Sequence, residues 1–262
     1  MKVLLRNAIL KQNQLFTDPH WATELLPFAP PVLWFGDLRS DVPKIVTIGA
    51  NPSRREFLPS ANANQNVYNN YLVGHKARFY VSNIPFTNLP NVSNQLLDQI
   101  IVSYNNYYSV NPYRTWFGSN AGGKVEAFMN GLGVSFYSNN YNYRGIHIDL
   151  FPFATMSNYT SIINLCNKSL FNTNWAQNFL LSLMQRIKPE KLIIFGISNY
   201  RSILRIFNIL DVVPRQINVG TKTCDVYYNV IGGNLPIIGL FINLGNPIGW
   251  SRQELIQLGN SI

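Results

Sequence analysis

Two polar side chains suited to chemistry each accompany a short apolar run of the sequence. Asn51 comes directly after the run at residues 44–48, inside the turn Gly-Ala-Asn-Pro-Ser, and Asp149 stands near the end of the run at residues 145–151. A carboxamide can orient a water molecule by hydrogen bonding, and a carboxylate accepts hydrogen bonds. The proline after Asn51 stiffens the turn. We therefore expect Asn51 just past the carboxyl end of a buried strand, where open α/β sheets bind ligands, with helix capping by Asn51 or Ser53 as the alternative.

The alternation of apolar runs and helical patterns predicts the fold class. Four runs of strand length lie at residues 44–48, 145–151, 191–196 and 235–243. Apolar residues at helical spacing separate them, and residues 225–231 have the pattern of an antiparallel or edge strand. Buried strands that alternate with helices indicate a doubly wound α/β fold. We expect α/β/α layers around a central four-stranded, mostly parallel sheet.

Several start signals predict individual helices. The sequence Thr17-Asp18-Pro19 is typical of a helix start, so two short helices should precede the first strand. Ser93 and Ser251 are predicted N-caps, the latter in a capping box with Glu254. Residues 60–91 show little periodicity and predict a functional loop or a loosely ordered segment.

Length and charge limit the class of protein. The 262 residues suffice for one substantial core and contain no linker or repeat. We expect a single domain over residues 1–262, with residues 1–43 as a helical segment packed on it. Lys and Arg total 21 against 12 Asp and Glu, a net charge of +9. This balance favours a polyanionic partner, nucleic acid before membrane, over a merely basic surface.

The cysteines, histidines and apolar runs bear on cofactors and location. Cys166 and Cys224 match no metal-ligand spacing, so we expect free thiols in a reducing compartment. His20 and His75 show no such spacing with either cysteine, and no metal or other cofactor is expected. The N-terminus lacks a signal-peptide pattern, and the longest apolar run is far shorter than a membrane span. The sequence therefore predicts a cytoplasmic monomer that does not bind membranes.

Two turns that contain Asn-Pro follow the first and the last predicted strand. They are Gly49-Ala50-Asn51-Pro52-Ser53 and Asn246-Pro247-Ile248-Gly249-Trp250-Ser251-Arg252. The pair resembles the two signature motifs of the uracil-DNA glycosylase superfamily, most closely the Gly-Ile-Asn-Pro-Gly and Asn-Pro-Ser-Gly-Leu-Ser-Arg of the mismatch-specific branch that includes thymine-DNA glycosylases. The resemblance covers roughly residues 44–254, mainly at strand ends, while the loops between fit poorly. It implies the fold of that superfamily and a cofactor-free DNA glycosylase.

The resemblance also implies roles for individual residues. Asn51 matches the asparagine that positions the attacking water, and Asn246 stands where many members have a histidine that stabilises the departing base. Trp250 matches a leucine that enters the duplex beside the flipped nucleotide, with packing of the last helix as the alternative. Phe79 is expected to stack on the flipped base. Further residues implied to contact the base are Gly49, Ala50, Pro52 and Ser53, and those implied to contact DNA are Arg54, Arg55, Pro247, Gly249, Ser251 and Arg252. For Arg54 and Arg55 the alternative is a solvated surface position.

Asp149 departs from the pattern of the family. Its strand resembles the base-reading strand, where uracil-selective members usually have an asparagine that pairs with N3–H and O4 of uracil. An ionised carboxylate cannot donate to O4 but accepts from the exocyclic amine of cytosine. We therefore expect a cytosine derivative as the target, with a second catalytic carboxylate or a helix cap as alternatives. His147, two residues earlier on the strand, is expected to be a core histidine.

The sequence thus predicts a monofunctional glycosylase that flips a modified pyrimidine out of DNA and hydrolyses its N-glycosidic bond. The superfamily includes members that remove modified cytosines from bacteriophage DNA, so a hydroxymethylated or glucosylated cytosine and an antiviral role are the main hypothesis. The alternatives are a glycosylase for uracil or thymine mismatches, a non-catalytic DNA-binding module, and a hydrolase of free nucleosides.

Overall fold

The computed structural model describes residues 1–60, 62–88, 92–110, 112–114, 116–118, 123–240 and 249–262. The chain divides into two compact units. The first comprises Met1–Phe35, Ala50–Asn111 and Asp149–Arg186, and the second comprises Gly36–Gly49, Pro112–Ile148 and Ile187–Ile262. Residues 36–43 of the predicted N-terminal segment therefore belong to the second unit.

The described strands form one sheet. They are β1 Lys44–Gly49, β2 Val134–Ser135, β3 Tyr143–Asp149, β4 Lys191–Phe195, β5 Arg215–Val219, β6 Lys222–Ile231 and β7 Leu235–Leu240. Their order is β2-β3-β1-β4-β7-β6-β5. The α/β class is confirmed, and each of the four predicted runs contains a strand, namely β1, β3, β4 and β7. Residues 241–243 of the last run lie outside the described residues. The predicted size of four strands is wrong, because β2 is too short to give a pattern and β5 is mostly exposed and polar.

The central strands of the sheet are parallel. Parallel pairing joins β2 to β3, β1 to β4 and β4 to β7. β3 lies beside β1 in the sheet. The backbone N–H of Arg144 in β3 donates to the carbonyl of Pro43, directly before β1, at 2.8 Å, and this bond fixes where the two strands begin to run side by side. β6 runs antiparallel to β7 and to β5. The predicted antiparallel strand at residues 225–231 is therefore present, one position in from the edge.

The described helices divide between the two units. They are α1 Lys2–Phe16, α2 Pro19–Glu24, α3 Asn94–Asn105, α4 Tyr107–Val110, α5 Lys124–Gly131, α6 Tyr159–Cys166, α7 Asn174–Ile187, α8 Ile197–Phe207 and α9 Arg252–Asn260. The predicted caps are confirmed: Asp18 accepts from the N–H of His20, Ser93 accepts from that of Leu96, and Ser251 forms a capping box with Glu254. None of the described helices is long and apolar enough to cross a membrane.

Helices cover both faces of the sheet in the second unit. Tyr200 of α8 packs over Gly239 of β7, where a Cβ atom would collide with its ring. The ring of Phe128 in α5 lies 6.4 Å from that of Phe195 in β4. Because Phe195 pairs with the residue after Gly239, and successive side chains of a strand alternate between faces, α8 and α5 lie on opposite faces. The second unit by itself therefore has α/β/α layering.

The first unit is built from helices and packed loops. The described part of residues 60–91 contains three 3-10 turns, at Tyr68–Asn70, Gly74–Lys76 and Phe86–Asn88. Phe79 and Phe86 from this segment are buried. The described part of this segment is therefore packed into the unit, although its sequence shows no regular periodicity that would predict this.

Neither cysteine is part of a disulfide, as predicted. Cys166 in the first unit and Cys224 in the second are buried and form no disulfide. Burial raises the pKa of Cys166 to about 12. A thiol with so high a pKa is a poor nucleophile, so Cys166 is a packing residue.

Candidate active site

Two neighbouring strand ends lead into adjoining segments of the first unit. β1 ends at Gly49, and the carbonyl of Ala50 accepts a hydrogen bond from the N–H of Phe151 at 3.0 Å. Phe151 lies two residues past Asp149, the last residue of β3. Asp149 is buried and Asn51 is half-buried. The predicted position of Asn51, just past the carboxyl end of a buried strand, is confirmed.

The carboxamide of Asn51 is held by two hydrogen bonds. Its Nδ2 donates to the carbonyl of Pro52 at 3.2 Å and to Oγ1 of Thr155 at 3.0 Å. Thr155 is 2% exposed, and its hydroxyl donates to the carbonyl of Ser157 at 2.8 Å. Thr155 was not identified from the sequence, because the two partners are 104 residues apart and a single threonine carries no pattern.

Ser53, not Asn51, is the capping residue of the turn. Its hydroxyl accepts from the N–H of Arg55 at 3.2 Å and starts a 3-10 turn over Arg54–Glu56. The side chain of Asn51 is therefore not used as a cap. The helix-capping alternative applies to Ser53 alone.

The two arginines of this turn each have an internal partner. Nη1 of Arg54 donates to the carbonyl of Met156 at 2.5 Å, and Nη1 of Arg55 donates to that of Pro59 at 2.8 Å. Both side chains are half-buried. A guanidinium has five N–H donors, so one internal bond leaves capacity for a phosphate. Their role in DNA binding stays a prediction.

Glu56 is a buried carboxyl that sequence analysis missed. It is 3% exposed, its Oε1 accepts from the hydroxyl of Tyr107 at 2.9 Å, and its Oε2 lies 3.9 Å from Nε of Arg78. The pKa of Glu56 is raised to about 8, mainly by burial and also by the nearby charge of Asp149, which together outweigh the lowering effects of Arg78 and Tyr107. The signal available in the sequence was its place five residues after Asn51 in a chain with few acids. Burial itself could not be foreseen, since a charged residue in a turn is usually exposed.

Phe79 lies in an aromatic cluster of the first unit. Tyr107 stacks on its ring with centroids 4.8 Å apart, and Phe57 stacks on it at 5.6 Å. Phe35 and Tyr104 meet it edge to face. Phe79 is 2% exposed, so it has almost no surface to offer a flipped base. This packing favours a role in the core over the predicted stacking role.

The second Asn-Pro turn belongs to the second unit, and part of it lies outside the described residues. This applies to Asn246 and Pro247, whose predicted roles remain predictions. Gly249 has a φ of +79°, a left-handed conformation that favours glycine. Ser251 and Arg252 are exposed, and Nη1 of Arg252 donates to the carbonyl of Gly123 at 2.9 Å.

Trp250 is held in place by a lysine. It is 8% exposed, and Nζ of Lys222 lies 5.5 Å from the centroid of its ring. The same ammonium group bonds the carbonyl of Gly249 and, at 2.6 Å, Oε2 of Glu254. The bonds to Lys222 and Ser251 lower the pKa of Glu254 to about 2. A buried, anchored indole favours the packing alternative for Trp250, and insertion into DNA would require this contact to open.

His147 is a buried core histidine of the second unit, as expected. It is 3% exposed, and its Nδ1 lies 2.8 Å from Oγ1 of Thr47 in β1. The ring of Phe117 packs edge to face against it, with centroids 5.2 Å apart. The residue therefore serves the packing between β1 and β3.

Among the described residues, no group of three His, Cys, Asp or Glu side chains is arranged to hold a metal ion. The first unit contains the oriented amide of Asn51 and the buried carboxyl groups of Glu56 and Asp149. No family model matches this chain, and no curated protein matches it significantly.

Proposed function

We propose that this protein is a monofunctional DNA glycosylase with the uracil-DNA glycosylase fold. It would flip a modified pyrimidine out of the duplex, hydrolyse the N-glycosidic bond and leave an abasic site. The best candidate for the base is a hydroxymethylated or glucosylated cytosine of bacteriophage DNA, which makes antiviral defence the working biological role.

The observation that carries this proposal is the joining of the Asn51 turn to the segment after Asp149. The bond between Ala50 and Phe151 links the turn that contains Asn51, directly after β1, to the segment that follows the buried Asp149 at the end of β3. Hydrolysis of a nucleoside passes through an oxocarbenium-like state, so the enzyme must place a water against the sugar. The carboxamide of Asn51 can orient that water by accepting one of its hydrogen bonds.

The charge of the chain supports a DNA substrate. The net charge is +9, and Arg54 and Arg55 directly follow the Asn51 turn. Each of their guanidinium groups has donors beyond the one bond that it forms to a described residue. Charge of this sign raises affinity for a polyanion at low salt.

Asp149 supports a cytosine derivative over uracil. As a carboxylate it accepts hydrogen bonds, which suits the exocyclic amine of cytosine and not O4 of uracil. An amide at this position would suit uracil. The carboxylate of Asp149 is therefore the reason to propose a cytosine derivative as the excised base.

The test is base release, measured by mass spectrometry, from duplexes with uracil or thymine opposite guanine, with cytosine or 5-hydroxymethylcytosine, and from phage DNA with glucosylated cytosine. We expect release of a modified cytosine and none of plain cytosine. Asn51→Ala should leave only a slow, still measurable release while DNA affinity stays close to wild type. Asn164→Ala, at an exposed position on α6, is the matched control and should behave as wild type.

Other outcomes assign a different function. Release of uracil or thymine in place of modified cytosine would make the protein a mismatch glycosylase. Tight DNA binding with no base released from any substrate would overturn the enzyme proposal in favour of a binding module. Activity on free nucleosides with little dependence on salt would indicate a nucleoside hydrolase.

A further inference from the structure

Thr155 and Asn51 form a chain of hydrogen bonds with one allowed direction. The hydroxyl of Thr155 has a single hydrogen, and it is directed at the carbonyl of Ser157, 2.8 Å away. Towards Asn51, 3.0 Å away, this hydroxyl can therefore only accept. The amide atom that faces Thr155 must be Nδ2, because Oδ1 carries no hydrogen.

The second bond of the amide has the same direction. Nδ2 also donates to the carbonyl of Pro52 at 3.2 Å, and a carbonyl oxygen cannot donate. Rotation of the amide by 180° would set Oδ1 of Asn51 against two acceptors. Both hydrogens of Nδ2 are thus committed, and no described residue donates to Oδ1 of Asn51.

We propose that Thr155 is a positioning residue, which fixes the carboxamide of Asn51 so that Oδ1 is the atom presented to a reacting water. Given the glycosylase function proposed above, on which this consequence rests, the water donates to Oδ1 and is held with a lone pair free for the sugar carbon. Orientation of this kind contributes to the rate through correct placement of the reactant.

The backbone of Thr155 is held independently of its hydroxyl. It forms bridges with Leu25 and with Ser53. On either side, the N–H of Leu26 donates to the carbonyl of Ala154 at 3.3 Å, and the N–H of Met156 donates to that of Glu24 at 2.9 Å. A substitution that removes the hydroxyl alone should therefore leave the segment in place.

The first experiment compares Thr155→Val with Thr155→Ser. Valine keeps the volume and removes the hydroxyl, while serine keeps the hydroxyl. With the 5-hydroxymethylcytosine and uracil·guanine duplexes as probes, we expect Thr155→Val to lower kcat by ~10- to 100-fold, the range for a misplaced reacting group, with little change in KM. Thr155→Ser should restore most of the rate. Ser202→Ala, which removes a buried hydroxyl bonded within α8, is the control and should keep the wild-type kcat.

A double substitution separates positioning from general packing. If Thr155 acts through Asn51, Thr155→Val should have no further effect on kcat in the Asn51→Ala background. A wild-type kcat for Thr155→Val, or an undiminished effect of it in that background, would overturn the proposal. An unchanged kcat in Asn51→Ala would instead contradict the proposed function, because Asn51 is the residue assigned to orient the attacking water.

A second measurement does not depend on catalysis. The side-chain Nδ2H2 signals of Asn51 in a ¹⁵N-correlation NMR spectrum are those missing in Asn51→Ala. We expect slow hydrogen exchange and a distinct shift in the wild type and Thr155→Ser, and both features lost in Thr155→Val. Unchanged signals in Thr155→Val would overturn the proposal even if no duplex released a base. Thr155→Ala replaces the valine variant in both measurements if circular dichroism shows that variant to be unfolded.

Discussion

Nε of Arg78 lies 3.9 Å from Oε2 of Glu56, beyond hydrogen-bond distance, although Glu56 is buried. The guanidinium instead directs Nη1 at the carbonyl of Arg55, 2.6 Å away. The carboxyl group is thus bonded by Tyr107 and stands near the charge of Asp149. Burial raises the pKa of Glu56 because Arg78 and Tyr107 together do not compensate the loss of water around a charged carboxylate.

The raised pKa of Glu56 makes the stability of the protein dependent on pH. The folded state, with a pKa of about 8 for this group, binds the proton more tightly than an unfolded chain with the ordinary value of 4.5. The contribution of this difference to the unfolding free energy is fully present below about pH 4.5 and is lost as the pH rises towards 8. At about 1.4 kcal/mol for each pKa unit, we expect the loss to reach several kcal/mol.

Glu56→Gln should remove this dependence, because an amide does not titrate in this range. The measurement is urea unfolding of wild type and variant at pH 5, 6.5 and 8. The variant should gain on the wild type in unfolding free energy as the pH rises. Glu190→Gln, at an exposed carboxyl, should follow the wild-type curve. Parallel curves for Glu56→Gln and wild type would show that Glu56 is ionised in the folded protein.

Asp149→Asn should change the choice of base. An amide donates to O4 of uracil and pairs less well with the amine of cytosine, so we expect the ratio of 5-hydroxymethylcytosine to uracil release to fall on the order of 10-fold. The measurement is kcat/KM on the two duplexes. Asp98→Asn, which alters an exposed carboxylate that binds Lys2, is the control and should keep the wild-type ratio.

The other hypotheses for Asp149 give different results in the same experiment. An equal loss of kcat on both duplexes would assign Asp149 to the water. A loss of unfolding free energy with unchanged kinetics would make it structural. Either result would remove the basis for a preference for cytosine.

Phe79→Ala should destabilise the protein by about 3–5 kcal/mol, as expected for loss of a buried phenyl ring. The reason is its aromatic cluster, in which Tyr107 and Phe57 stack on the ring. Urea unfolding measures the change, and Tyr80→Ala, at the half-buried neighbouring position, should cost much less. Unchanged stability with loss of base release in Phe79→Leu would restore the stacking role.

Local signals in the sequence determined much of the fold. Asp18, Ser93 and Ser251 are the helix caps that their patterns predict, because a cap depends on residues within one turn. The four core strands were equally visible, since a strand buried on both faces is apolar throughout. The short β2 and the exposed β5 give no such pattern and were found from their pairing with neighbours.

The tertiary structure decided which polar groups are buried and what they contact. The sequence placed Asn51 at a strand end, but its partner Thr155 is 104 residues away and was invisible to any local pattern. Glu56 resembled a surface acid, and Phe79 a free aromatic, until the packing of the first unit enclosed both. Residue type and spacing fix what a side chain can do, whereas its burial, its pKa and the direction of its hydrogen bonds depend on segments that only folding brings together.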